Sequence, residues 1–146
     1  GFDTAWLDFT KGLGAPVGAV LAGSQELVDE AWRYKQMIGG ALRQSGIVAA
    51  GCLYALDHHV DRLAEDHENA RTLADGLAEL GFDVRRPDTN IVIAEVADAP
   101  QLVGALWERG VEVTPMAPTL IRCVTHLDVD SEGIERALAA FREVAG

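Results

Sequence analysis

From Leu42 to Leu80 the chain contains no proline, and its apolar residues recur at helical spacing almost throughout. Leu53, Leu56, Val60, Leu63, His67, Ala70, Leu73, Leu77 and Leu80 step by three or four residues, which aligns them along one helix face. Asp57, Asp61, Arg62, Glu65, Asp66, Glu68 and Arg71 fall between them and are expected on the solvated side. So long a single helix is rare in a small domain, so the pattern predicts two helices with a break near His58–His59. An apolar stripe of this length needs partners, and the flanking sequence has to supply them.

On the amino-terminal side, Ala5–Thr10 (AWLDFT) reads as a short strand. KGLGAP breaks regularity, and Val17–Leu21 is a continuous apolar run of the kind found in strands covered on both faces. Ser24 is a good N-cap for a helix whose buried stripe would be Leu27, Val28, Ala31 and Trp32. Beyond Gly81, the segments Phe82–Arg85, Ile91–Val96, Val111–Val113 and Leu120–Thr125 read as strands. Gln101–Arg109 reads as a helix closed by Gly110. Ser131–Val144 reads as a last helix, capped by Ser131, with Ile134, Leu138 and Phe141 facing inward. The sum is an α/β chain, most simply a short sheet with helices on one face. Trp6, Trp32 and Trp107 are expected in the core.

Charge and composition exclude several classes. The formal net charge of −11 is spread over helix faces and points away from nucleic acid and anionic membrane surfaces. No charge-free apolar stretch reaches the length of a membrane span. Cys52 and Cys123 each sit in an apolar run, which suits buried free thiols in a reducing cytoplasm better than a disulfide. The opening residues carry acids and no Met, and the expectation is that sequence precedes them.

Thr10-Lys11-Gly12-Leu13-Gly14-Ala15-Pro16-Val17-Gly18 is the segment richest in chemistry. A lysine after a strand and before glycines can be held with its amine in a site while backbone packs closely around it. Such an amine is a nucleophile for carbonyl compounds once it loses its proton. Lys11 alone would still read as a solvated turn residue. Gly12, Gly14 and Gly18 do not make a dinucleotide fingerprint, because Pro16 and a strand follow where a helix is required. Asp57-His58-His59-x-Asp61 reads as a solvated helix face and not a metal site, since adjacent histidines on a helix point about 100° apart. His67 lies on the apolar stripe and is expected as a hydrogen-bonded core histidine. His126 follows a strand and is a weaker candidate for touching substrate.

Read together, separated stretches carry more than any one of them. FTKGLGAPVGAVLAGS resembles the cofactor-lysine segment of the low-specificity threonine aldolase family, S-K-G-L-x-A-P-V-G-S, with Thr10 in place of Ser. MIGGALRQSGIVAAG resembles that family's M-x-G-G-G-M-R-Q-x-G-x-x-A-A, and HVDRLAEDHENARTLADGL is close to its counterpart. IRCVTHLDV resembles the family's R-x-V-T-H-x-D-V run. The order and spacing agree, and the resemblance covers essentially the whole chain.

The resemblance implies a fold type I enzyme using pyridoxal 5'-phosphate (PLP). Residues 1–56 would be the carboxy-terminal end of its large PLP-binding domain, and residues 57–146 a small α/β domain. It makes Lys11 the Schiff-base lysine and puts Arg43 near the cofactor phosphate at a subunit boundary. It gives Arg122 the substrate α-carboxylate. The implied reaction is retro-aldol cleavage of L-threonine, or a related β-hydroxy-α-amino acid, to glycine and an aldehyde. A PLP lyase acting by β-elimination, or a non-catalytic fragment or interaction domain, is compatible with the same residues. Gln36 stands where the family usually has lysine, with Lys35 adjacent, and Ala41 and Leu42 replace Gly and Met before Arg43. The family's pyridine-nitrogen carboxylate, stacking histidine and phosphate-binding turn all precede the lysine, where this chain has only ten residues. The implied partners are therefore a small amino-acid substrate, the upstream half of the same enzyme and further subunits of a cytoplasmic homo-oligomer (dimer or tetramer). The chain alone is expected to be inactive, and its structure to show either a second chain supplying the upstream half or an exposed apolar face around residues 5–21.

Overall fold

The computed structural model describes residues 1–145. They form two compact units, Gly1–Asp61 and the residues from Arg62 onward.

The first unit begins with β1 (Thr4–Asp8) and β2 (Ala19–Gly23), an antiparallel ribbon in register from Thr4↔Gly23 to Asp8↔Ala19. Two helices follow, α1 (Gln25–Met37) and α2 (Ser45–His59). Ser24 caps α1 as its sequence suggests, accepting the Leu27 N–H at 3.3 Å. The glycine pair of M-I-G-G ends it. Gly39 takes φ 79°, its N–H reaches the Gln36 carbonyl at 3.2 Å, and the Gly40 N–H reaches the Lys35 carbonyl at 2.7 Å. These two bonds close a helix terminus that only a residue tolerant of the left-handed region completes without strain.

Burial in this unit departs from the sequence expectation. β2 is exposed along its whole length, because the ribbon has two strands and no layer covers it. Trp6 is 70% exposed, and Leu7, Val17, Val20 and Leu21 are also open, which is the apolar face expected around residues 5–21. No α1 residue is buried. Leu27, Val28 and Ala31 are half-buried, and Trp32 is 59% exposed with the Lys35 ammonium 5.1 Å from its ring centroid. The buried side chains are Phe9, Leu13, Ala15 and Ala55.

The second unit runs α3 (Leu63–Glu79), β3 (Asp83–Arg85), β4 (Ile91–Glu95), α4 (Ala99–Trp107), β5 (Thr114–Ala117), β6 (Leu120–Val124) and α5 (Ser131–Ala145). Its sheet has the order β3-β4-β6-β5 with every pair antiparallel. Strand alternation turns Val92, Ala94, Ile121 and Cys123 toward the helices, where Leu73, Leu77, Leu106, Ile134 and Phe141 complete a closed core. The helices cover one face only, as expected, and Ile91 and Val124 stand partly exposed on the other.

The long helical pattern is indeed two helices, since α2 ends at His59 and α3 starts at Leu63. The stripe divides with them. Ala70, Leu73 and Leu77 are buried, whereas Leu53, Leu56 and Val60 are exposed. Asp66, expected on the solvated side, is 1% exposed and paired with Arg62 at 2.8 Å. His67 is half-buried and not a core residue. Trp107 is 63% exposed, at the last turn of a nine-residue helix. Val111–Val113 is irregular, and the strand starts at Thr114. Pro115 lacks an N–H and the register shifts beside it, which confines β5 to the sheet edge. The cap of α5 is Asp130, whose Oδ1 accepts the Gly133 N–H at 2.8 Å, and not Ser131. Among the described residues no helix is long and apolar enough to cross a membrane.

Two positions yield measurable consequences. Gly18 takes φ 142°, and a methyl group there would collide with Cys52 Sγ. Gly18→Ala is therefore expected to destabilise the protein by about 1–3 kcal/mol, read as a lower denaturant midpoint at unchanged m-value. Burial pushes the Cys123 thiol up to about 12, whereas Cys52 is only half-buried. At pH 8 the Cys123 thiolate fraction is then on the order of one in ten thousand, so a thiol reagent should modify Cys52 first. Cys123 should react only after unfolding, as peptide mapping would register.

Candidate active site

Asp8 ends β1, and the chain then makes a tight excursion before β2. Asp8 Oδ1 accepts both the Thr10 N–H and the Thr10 hydroxyl, each at 2.7 Å. The Thr10 hydroxyl, then its N–H, and to a smaller extent the charge of Lys11, hold the Asp8 carboxyl below its ordinary value. Further bonds fold the excursion back on itself. The Gly14 N–H donates to the Lys11 carbonyl at 2.8 Å, the Ala15 N–H to the Phe9 carbonyl at 2.8 Å, and the Phe9 N–H to the Gly18 carbonyl at 3.0 Å. Gly14 takes φ 69°, which a side chain would resist. Phe9, Leu13 and Ala15 turn inward, while Lys11 stays exposed. The lysine thus projects from a turn whose neighbours on both sides are fixed.

The paired histidines at the end of α2 each direct Nδ1 at a backbone carbonyl. His58 stacks on Tyr54 with centroids 4.0 Å apart, and its Nδ1 lies 2.9 Å from the Tyr54 carbonyl. His59 Nδ1 lies 2.6 Å from the Leu13 carbonyl, in the lysine turn. A carbonyl only accepts, so Nδ1 of each ring carries the proton.

Arg43 is exposed, between the glycine end of α1 and the start of α2, and among the described residues it makes no ion pair. Its neighbour Gln44 has φ 53° and ψ 37°, the left-handed region, at a cost of about 1 kcal/mol or more. No side chain caps α2 and no acid stands in its first turn. That terminus combines an arginine with uncapped backbone N–H groups, a donor set suited to an anion.

The first unit also holds an open, mainly apolar cavity of about 710 Å³. Leu7, Val20, Leu42, Cys52 and Leu56 line it with Lys35, the adjacent lysine noted beside Gln36. Lys11 and Arg43 are not among its lining residues.

In the second unit Arg122 sits between Ile121 and Cys123, which face the helices, so it lies on the bare side of the sheet. Its register partners are Ile93 and Thr114. Its Nε is shielded from solvent and has no hydrogen-bond partner. A donor left in that state costs about 1–3 kcal/mol, which an incoming carboxylate would relieve. Beyond Arg122 the strand end is fixed by Thr125, whose hydroxyl donates to the Asp66 carbonyl at 2.6 Å and whose N–H donates to the Asn90 carbonyl at 3.0 Å. His126 is exposed, and its Nδ1 accepts the Asp128 N–H at 3.2 Å.

Sequence reasoning named Lys11, Arg43 and Arg122 and missed Asp8, His59, Asp66 and Thr125. Two of these leave a local signal. Asp8-x-Thr10 is the spacing of an Asx turn, and Arg62–Asp66 is an i,i+4 ion pair.

Residues 1–99 match the family model described as Beta-eliminating lyase. The chain is 40% identical, over 96% of its length, to the low specificity L-threonine aldolase of Escherichia coli K12, and covers 42% of that protein. With low-specificity L-threonine aldolase 1 of Arabidopsis thaliana it shares 30% identity over 97% of its length, again covering 42%. The solved serine palmitoyltransferase of Sphingomonas wittichii matches 99% of this chain with 39% of its own, at a TM-score of 0.75 and 24% identity, a likeness of fold. The chain spans about two-fifths of the length of the curated relatives it matches.

Proposed function

The chain belongs to the Beta-eliminating lyase family, and we propose that it is part of a PLP aldolase that cleaves L-threonine or a related β-hydroxy-α-amino acid to glycine and an aldehyde. Its relatives among the threonine aldolases and aminotransferases are PLP-dependent. The observation that carries the reading is the lysine turn, which buries and bonds the residues around Lys11 and leaves its amine free.

The residues present fit the cofactor. Lys11 would be its covalent attachment point, and Arg43 with the uncapped start of α2 would receive its phosphate. Bound PLP supplies an electron sink for the pair released at the substrate α-carbon. Arg122 would take the substrate carboxylate in a bidentate grip, and its solvent-shielded Nε gains an acceptor when it does so. A fixed carboxylate orients the bond to be broken, which is the main service this chain's own residues provide. Free Cys52 and Cys123 suit a reducing cytoplasm, and the family resemblance supports a homo-oligomer with an upstream half that completes the site. The family description also supports a second reading, β-elimination, and products separate the two: glycine and an aldehyde in one case, ammonia and a 2-oxo acid in the other.

Borohydride reduction of the PLP-loaded protein should place the cofactor on Lys11 alone. Lys35 is the only other lysine in the chain, so an adduct there would reverse the assignment. The two arginines should divide in their effects. Arg122→Ala should keep the visible absorption of bound PLP while kcat/KM falls by the equivalent of about 2–4 kcal/mol. Arg43→Ala should lose PLP first, seen as a higher cofactor Kd.

A further inference from the structure

We propose that His59 is a positioning residue for Lys11, acting through the Leu13 carbonyl; this rests on the reading of Lys11 as the cofactor lysine. The turn carrying Lys11 contains Gly12 and Gly14, and Gly14 is in the left-handed region, so its backbone has little intrinsic preference for one shape. On its upstream side Asp8 holds it by the two bonds to Thr10. On the downstream side the side-chain tether is His59, whose Nδ1–H reaches the Leu13 carbonyl at 2.6 Å in a half-buried setting.

The ring is itself held in place. Tyr54 packs edge-on against it at 5.6 Å and 86°. Leu13 is buried, so its carbonyl has little water to turn to if the bond is lost. Lys11 stands two residues from this anchor, and its own carbonyl accepts from Gly14, the residue after it. A shift at Leu13 is thereby passed to the lysine backbone through one hydrogen bond. Displacement of a reacting group by about 1 Å is enough to cost on the order of a hundredfold in rate.

The test compares three substitutions in the full PLP-binding protein. His59→Phe keeps the ring and the contact with Tyr54 but has no donor. His59→Asn returns an N–H at the place of Nδ1, and His59→Asp has the shape of Asn without it. In the apo-protein, amide exchange at Gly14 and Ala15 should accelerate about tenfold in the Phe and Asp variants and stay near wild type in Asn. On reconstitution of the apo-protein, the rate at which added PLP becomes reducible onto Lys11 should fall about tenfold in Phe and Asp and recover in Asn. The proposal is overturned if Phe and Asp match wild type in both measurements, or if Asn is as impaired as Asp. Should Phe fail to fold, the Asn–Asp pair decides the matter. Absence of any Lys11 adduct in the wild-type holoprotein would remove the cofactor-lysine reading and this proposal together, and is recognised because it arises before any substitution is made.

Discussion

Burial of Phe9, Leu13 and Ala15 is the constraint on which the first unit depends. Apart from Ala55 these are its buried side chains, and all three belong to the excursion that carries Lys11. Burying a Phe or Leu side chain stabilises by roughly 1.5–3 kcal/mol, which has to outweigh the entropy lost by ordering a stretch with glycines at 12, 14 and 18. The lysine turn is therefore not a loop laid over a core. It is the core of this unit, and the ribbon and helices around it are largely open.

The second unit follows the opposite plan. Phe141, Leu77, Leu106, Ile121 and Val92 are fully enclosed between one sheet face and three helices. That rigidity permits an otherwise unfavourable feature on the bare face, the unpaired Nε of Arg122. A weaker scaffold would let the guanidinium relax toward water. Here the strand end is pinned by Thr125 to Asp66 and Asn90, and Asp66 is in turn held by Arg62. The strand end beyond Arg122 is thus linked to a salt bridge on a different element.

Much of the architecture was legible in the sequence because periodicity is local. The helix break just after His58–His59, the Ser24 cap and the inward positions of Ile134, Leu138 and Phe141 all follow from spacing within a few residues. What failed was coverage. An apolar run such as Val17–Leu21, or a tryptophan at 6, 32 or 107, says that a surface could be buried, not that another layer lies over it. Asp66 failed for a related reason: positions 66, 70, 73 and 77 also step at helical spacing, so its place on the inner face was written in the pattern but masked by its charge. Lys11, Arg43 and Arg122 were singled out through motifs. His59 was not, because a bond to a backbone carbonyl asks nothing of the residue type at Leu13 and so leaves no paired signal.

That same bond has a bearing on the order in which the protein is made. His59 leaves the ribosome 46 residues after Leu13, and no earlier part of the chain can supply its contact. At synthesis rates on the order of 5–20 residues per second, the lysine spends several seconds on a nascent chain whose turn is not yet clasped. During that interval the turn is held on its upstream side alone, by Asp8. The turn acquires its downstream side-chain tether only when the end of α2 folds back onto it, so its final shape is set after the helix and not while the turn itself is being made.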